Sequence, residues 1–166
     1  MSKGFHEEYK KYLKSVELFW NESDVESGRE VEYILNLINE SILNNDTQRV
    51  EFLIDTIFHM KDLNAKIEAY NKVLIIKDHR KHQEVTREIQ LLGHPSSTYY
   101  IGRVLEGGFE HLAYTFSESA VIAKWFSHAL CDIGTPEAIA LIAKHSKNPD
   151  EGIKNEMSYR LSKIEA

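Results

Sequence analysis

Two histidines, His79 and His82, stand three residues apart in the segment Asp78-His79-Arg80-Lys81-His82. At that spacing both imidazoles can lie on one helical face, as metal ligands do. No further Cys/His cluster follows at a finger-like spacing, and the flanks are charged. The pair therefore reads as a solvated element, and no metal site is expected. His128 and Cys131 repeat the spacing. A nucleophilic cysteine needs a base, a third group to orient that base and an oxyanion site. The sequence offers no such set, and Cys131, between Leu130 and Ile133, reads as a small core residue. Glu84 and Glu88 form an i, i+4 carboxylate pair, an arrangement that most helices keep in solvent. Gly107-Gly108 lacks the lysine and the strand-to-helix setting of a phosphate loop, and no G-x-G-x-x-G is present. No catalytic residue, cofactor or metal is expected.

The elements that hold these residues read as helices. Period-two runs are nearly absent, whereas i, i+3, i+4 apolar spacing recurs along the chain. Residues 5–20 have an apolar face of Phe5, Tyr9, Tyr12, Leu13, Val16, Phe19 and Trp20, with Lys10, Lys11 and Lys14 opposite. A membrane-surface helix would show such a face. Glu7, Glu8 and Glu17 break up the basic side, which favours a first helix packed on the body. Further helices are expected over residues 28–43, from Asp46 as a cap through Val50, Leu53, Ile54 and Ile57, and over residues 63–76. After a break at Lys77-Asp78, another runs through Val85, Ile89 and Leu92. Ser117 is a candidate cap for a helix over residues 118–133. Pro95 and Pro136 suit first helical turns. Asn148-Pro149-Asp150 is a turn that starts the last helix, ending near Ile164.

The chain has 166 residues, a formal net charge of −6 and one cysteine. That length suits a single domain, divided here into N-terminal helices over residues 1–77 and a repeat region over residues 78–166. The acidic balance argues against nucleic-acid binding, which needs a clustered basic surplus. One cysteine rules out a disulfide within the chain. With no apolar leader and no long apolar run, neither a secretory signal nor a membrane span is expected, and the cytoplasm is the expected compartment.

The segment Leu92-Gly93-His94-Pro95 recurs as Ile133-Gly134-Thr135-Pro136, an offset of 41 residues. The same offset aligns Val85 with Phe126, Ile89 with Leu130 and Ile101 with Ile142. An offset of 31 aligns Ile122 with Ile153, Phe126 with Met157, Leu130 with Leu161 and Ile133 with Ile164. Glycine suits the left-handed helix C-cap, and proline restarts a helix without wasting a donor. One helix pair cannot bury its apolar face alone, so repeats must stack.

The stretch from Ser117 through Ala129-Leu130-Cys131-Asp132-Ile133-Gly134-Thr135-Pro136-Glu137-Ala138, with Asn148-Pro149-Asp150 after it, resembles HEAT-like repeats. The likeness covers roughly residues 78–164. It departs from the family at Ala123 and Lys154, where an arginine is usual, and at the insertion around Gly107-Gly108-Phe109. The resemblance implies an all-α fold, a short right-handed solenoid of stacked antiparallel helix pairs with the N-terminal helices capping the array. Small acidic proteins with such repeats resemble immunity partners of bacterial toxins. That implies a protein partner, a basic toxin domain such as a nuclease, whose active site is occluded.

Two features supply candidate binding residues. In the repeat alignment Trp125 shares a column with Glu84 and Glu156, and the next column holds Arg87, His128 and Tyr159. Columns with Glu and Arg are expected to face solvent, which would make Trp125 an exposed aromatic of the kind that anchors interfaces. The other reading has it covering a neighbouring helix. The second feature is acidity. Residues 17–32 hold six acids, among them Glu22, Asp24, Glu26 and Glu30, against Arg29 alone. Such a segment can be a solvated face or can steer a basic partner. Two other function classes remain: a general HEAT-type scaffold, and an enzyme of the bilin-lyase or DNA-glycosylase kind.

Overall fold

The computed structural model describes residues 3–166, and every regular element among them is helical. The chain divides into two compact units, Met1–Ala69 and Tyr70–Ala166, the division falling within the fourth helix.

The first unit begins with α1 (Lys3–Glu22), α2 (Glu30–Leu43) and α3 (Thr47–Thr56), followed by a 3₁₀ turn, Ile57–His59. Asp46 caps α3 as expected, its carboxylate accepting from the Arg49 N–H at 3.0 Å. Helix α3 packs against both α1 and α2. Val16, Ile34, Ile38, Val50, Leu53, Ile54 and Ile57 are buried there. Phe19, Trp20, Tyr33 and Phe52 interlock beside them, with ring centroids 5.1–6.4 Å apart. The Trp20 indole donates to the Thr56 carbonyl at 2.7 Å, so the ring is both packed and hydrogen-bonded. Most of the packing of α1 lies in its C-terminal half, with Tyr12 reaching α3 by a hydrogen bond to Asp55 at 2.6 Å and an edge contact with Phe52. Residues 4–15 are all exposed, and Val16 is the first buried residue.

Helix α4 (Leu63–Leu74) leads to the second unit, which contains α5 (His82–Leu92), α6 (Ser97–Gly107), a 3₁₀ segment Glu110–Thr115, α7 (Ser119–Ile133), α8 (Pro136–His145) and α9 (Glu151–Glu165). Helix α7 is the hub, packed against α5, α6, α8 and α9. The aligned apolar positions meet in this core. Val85, Ile89, Ile101, Ile122, Phe126, Leu130, Ile142, Ile153 and Met157 are all buried. Leu161 and Ile164, at the end of α9, are only half-buried.

Gly93 and Gly134 end α5 and α7 at φ +57° and +66°, and their N–H groups reach back to Ile89 and Leu130. Pro136 takes the first position of α8 behind a Thr135 cap. Pro95 instead lies in the turn before α6, which begins at Ser97. Ser117 is not the cap of α7. Its hydroxyl donates to the Thr115 carbonyl at 3.3 Å, and Glu118 stands at the N-cap position with no side-chain cap bond. The left-handed Phe116 (φ 52°) has already turned Ser117 away from the helix axis.

The start of α7 is bonded elsewhere. Ser119 Oγ donates to Asp150 Oδ1 at 2.7 Å, and the same oxygen caps α9 by accepting from Ile153 N–H at 3.0 Å. These bonds, the backbone one foremost, hold the Asp150 carboxyl below its usual pKa. The approach leaves no room at Gly152, where a Cβ would fall 2.1 Å from Ser119 Oγ and 2.6 Å from the Ala120 nitrogen. Alanine normally favours a helix over glycine by about 1 kcal/mol. Here the clash reverses the sign, and Gly152→Ala is expected to destabilise by about 2–3 kcal/mol. Chemical denaturation of the variant checks this, and a gain in stability would show that the contact is not tight.

Candidate functional site

Between α5 and α7 runs a groove of about 510 Å³, lined by Gln83, Glu84, Thr86, Arg87, Gln90, Lys124, Trp125 and His128. Val85 and Ile89 on α5, and Phe126 and Leu130 on α7, are buried in the core. The helical period then leaves Glu84, Arg87, Trp125 and His128 along the upper edges of the contact. Trp125 is half-buried, so it is neither fully exposed nor lost in the core. One end of the groove is tied across by Gln90, which donates to Asp132 at 2.6 Å and accepts from Arg87 at 3.1 Å. Glu84 lies 3.9 Å from Lys81.

A second row of polar groups joins α7 to α9. Glu156 and Arg160 pair at 3.0 Å with side chains only 12 % and 13 % exposed. Ser127 donates to Glu156 at 2.6 Å, and Arg160 donates to His128 Nε2 at 3.0 Å. His128 therefore accepts through Nε2 and is neutral. Burial and the Arg160 charge both lower its pKa. The expectation that the Glu156 column faces solvent does not hold for Glu156 itself. Helix α9 turns this face against α7, where the carboxylate meets Ser127. Tyr159 points elsewhere. It is 55 % exposed, with Arg160 and Lys163 within 5.8 Å of its ring centre, and it does not line the groove.

Neither family models, nor curated proteins, nor solved structures match this chain.

The acidic residues lie in the first unit. Glu22, Asp24 and Glu26 are exposed on and after the end of α1. Asp24, Glu26, Arg29, Glu32 and Tyr33 surround a pocket of about 380 Å³. Arg29 is paired with Glu32 at 3.1 Å. Glu30 is turned back, accepting from the Gly28 N–H at 2.8 Å, and it lines a smaller cleft with Trp20 and Lys61.

His79 and His82 are not solvated; they are 4 % and 0 % exposed. Their rings stack at 3.7 Å. His79 Nε2 donates to the Val73 carbonyl at 3.0 Å and its Nδ1 accepts from the Lys81 N–H at 3.0 Å. His82 Nε2 donates to the Ile76 carbonyl at 2.8 Å and its Nδ1 accepts from the Tyr114 hydroxyl at 3.1 Å. The pair thus adds a second donor to the Val73 carbonyl, which also accepts from the Ile76 N–H at 3.0 Å, and supplies a donor to the Ile76 carbonyl just beyond α4, part of the task a C-cap performs. With all four ring nitrogens engaged, the two residues are structural. Burial above all lowers His79 to about 4, against the Val73 bond, which raises it; burial and then the His79 ring lower His82 to about 3.

Cys131 is half-buried, not a core residue. Among the described residues no group of three His, Cys, Asp or Glu side chains is placed to hold a metal, and no helix is long and apolar enough to cross a membrane. Sequence reading missed Gln90, Lys124, Ser127 and Arg160. Only the i, i+4 spacing of Glu156 and Arg160 carried a signal for them. The groove offers an indole face, two cations and hydrogen-bonding side chains, a set suited to non-covalent recognition.

Proposed function

We propose that this chain is a non-enzymatic protein-binding module, an immunity protein that neutralises a basic bacterial toxin domain by covering its active site. In this reading residues 78–166 form a short HEAT-like solenoid of stacked antiparallel helix pairs. The observation that carries the proposal is the acidic segment. Glu22, Asp24 and Glu26 are exposed, and the single arginine in the segment is engaged by Glu32. A field of one sign steers a basic partner and speeds its encounter. Trp125, half-buried beside Arg87 and Lys124, supplies an aromatic anchor of the type that dominates interface energetics.

The test is titration calorimetry against the toxin domain encoded beside this gene. Tight binding with inhibition is expected, and no binding would overturn the proposal. Neutralising Glu22, Asp24 and Glu26 to Gln, Asn and Gln should slow association and flatten its salt dependence. Trp125→Ala should weaken affinity by about 30-fold or more, the equivalent of 2 kcal/mol. The mixed charge of the α5/α7 groove favours a second reading, a general helical scaffold. Its partner binding would be indifferent to the acidic triple substitution.

A further inference from the structure

The first unit presents carboxylates; the groove of the second is mixed in charge, with two cations, Arg87 and Lys124, against one carboxylate, Glu84. Arg87 and Lys124 are both exposed, and neither pairs with a carboxylate among the described residues. Arg87 spends one donor on the neutral Gln90 amide. The one carboxylate lining the groove, Glu84, already lies near Lys81, and Asp132 is bonded to Gln90. His128 adds no negative charge, and its neighbour Arg160 is spent on Glu156. The space around Trp125 is therefore flanked by two available cations over a partly apolar wall.

We propose that the α5/α7 groove binds an acidic peptide segment, seating an apolar side chain against Trp125 and a neighbouring carboxylate between Arg87 and Lys124. The volume, about 510 Å³, suits two or three residues of an extended chain. Arg87 provides the planar fork that grips a carboxylate by two bonds, and Lys124 adds a mobile point charge. The groove's tied end, where Gln90 bridges α5 to Asp132 on α7, fixes its width without a ligand. A basic segment would meet Arg87 and Lys124 unscreened and would be rejected.

This deepens the protein-binding reading and rests on it only for the source of the peptide. The probes are three acetylated, amidated tetrapeptides: Leu-Glu-Phe-Glu, its Gln analogue and its Lys analogue. Binding is followed by Trp125 fluorescence in a Trp20→Phe background, with chemical-shift mapping as the second readout. The acidic peptide should bind in the high micromolar range, the Gln analogue at least tenfold more weakly and the Lys analogue not at all. Arg87→Gln and Lys124→Gln change exposed residues and leave the core intact. Each should remove most of the preference of the acidic over the Gln peptide. Equal binding of the acidic and Gln peptides, preference for the Lys peptide, or no binding of the acidic peptide at 5 mM would each overturn the assignment. Success here with failure against the toxin would overturn the immunity reading alone.

Discussion

Between pH 8 and pH 5 the second unit is expected to lose about 4 kcal/mol of stability through two histidines. Above pH 6.5 His79 and His82 are neutral in both folded and unfolded chains. Below it the unfolded chain takes up a proton at each, while the folded chain, with values of about 4 and 3, does not. The unfolded state then binds more protons, so stability falls as pH falls. At pH 5 the solution stands about 1.5 units below the unfolded value of each histidine, which is worth about 2 kcal/mol for each. His111, whose ring lies 5.0 Å from that of His82, is also lowered by burial and Lys77 and adds to the loss with the same sign. Asp78 works weakly the other way on His79. The lowered carboxylates, Asp150 and Glu106, act only below their own usual range, so the interval from pH 6.5 to 5 reports histidine. Urea denaturation at half-unit pH steps measures this. A flat profile across the interval would mean that the rings are not held neutral in the folded chain.

Removing the carboxylate of Glu156 should be the most damaging single change in the α7–α9 contact. It leaves Arg160, 13 % exposed, with its charge uncompensated beside Ser127 and the neutral His128. Breaking a buried pair in this way costs about 3–5 kcal/mol, and residual water access places Glu156→Ala near the lower figure. The melting temperature should fall by at least about 6 °C. Replacing both partners, Glu156→Met with Arg160→Leu, should recover most of the loss, because desolvation of the pair offsets much of its attraction. If the single substitution proved as mild as the double, the pair would be acting as an ordinary surface ion pair. Thermal melts of the three proteins, read with the histidine pH profile held fixed, separate these outcomes.

Helix positions were legible because apolar spacing is a property of the chain alone. Val85, Ile89, Phe126 and Leu130 alternate into the core with the period that placed them. The gathering of Glu84, Arg87, Trp125 and His128 along one groove was legible for the same reason, since equivalent columns on adjacent packed helices must face the same way. The rest depended on which helix lies against which. Nothing local to Asp78-His79-Arg80-Lys81-His82 says that its rings will reach back to the carbonyls of Val73 and Ile76, so two structural histidines read as solvated. Glu156 read as exposed by its column, yet only 12 % of its side chain is exposed because α9 leans on α7. Ser117 failed as a cap because the left-handed Phe116 redirected it, and a phenylalanine at positive φ has no sequence signal.

The position of α7 at the centre of its unit bears on how binding would divide between rate and lifetime. Its apolar face is covered by four other helices, so the wall that carries Trp125 is already rigid before any partner arrives. A side chain docking there would lose its own freedom but demand little ordering of the protein, which favours slow dissociation. The acidic residues before α2 sit largely on irregular chain, bent at Gly28 (φ +88°), and their contribution acts through the long-range field. The acidic segment would therefore govern how often partners meet, and α7 how long they stay.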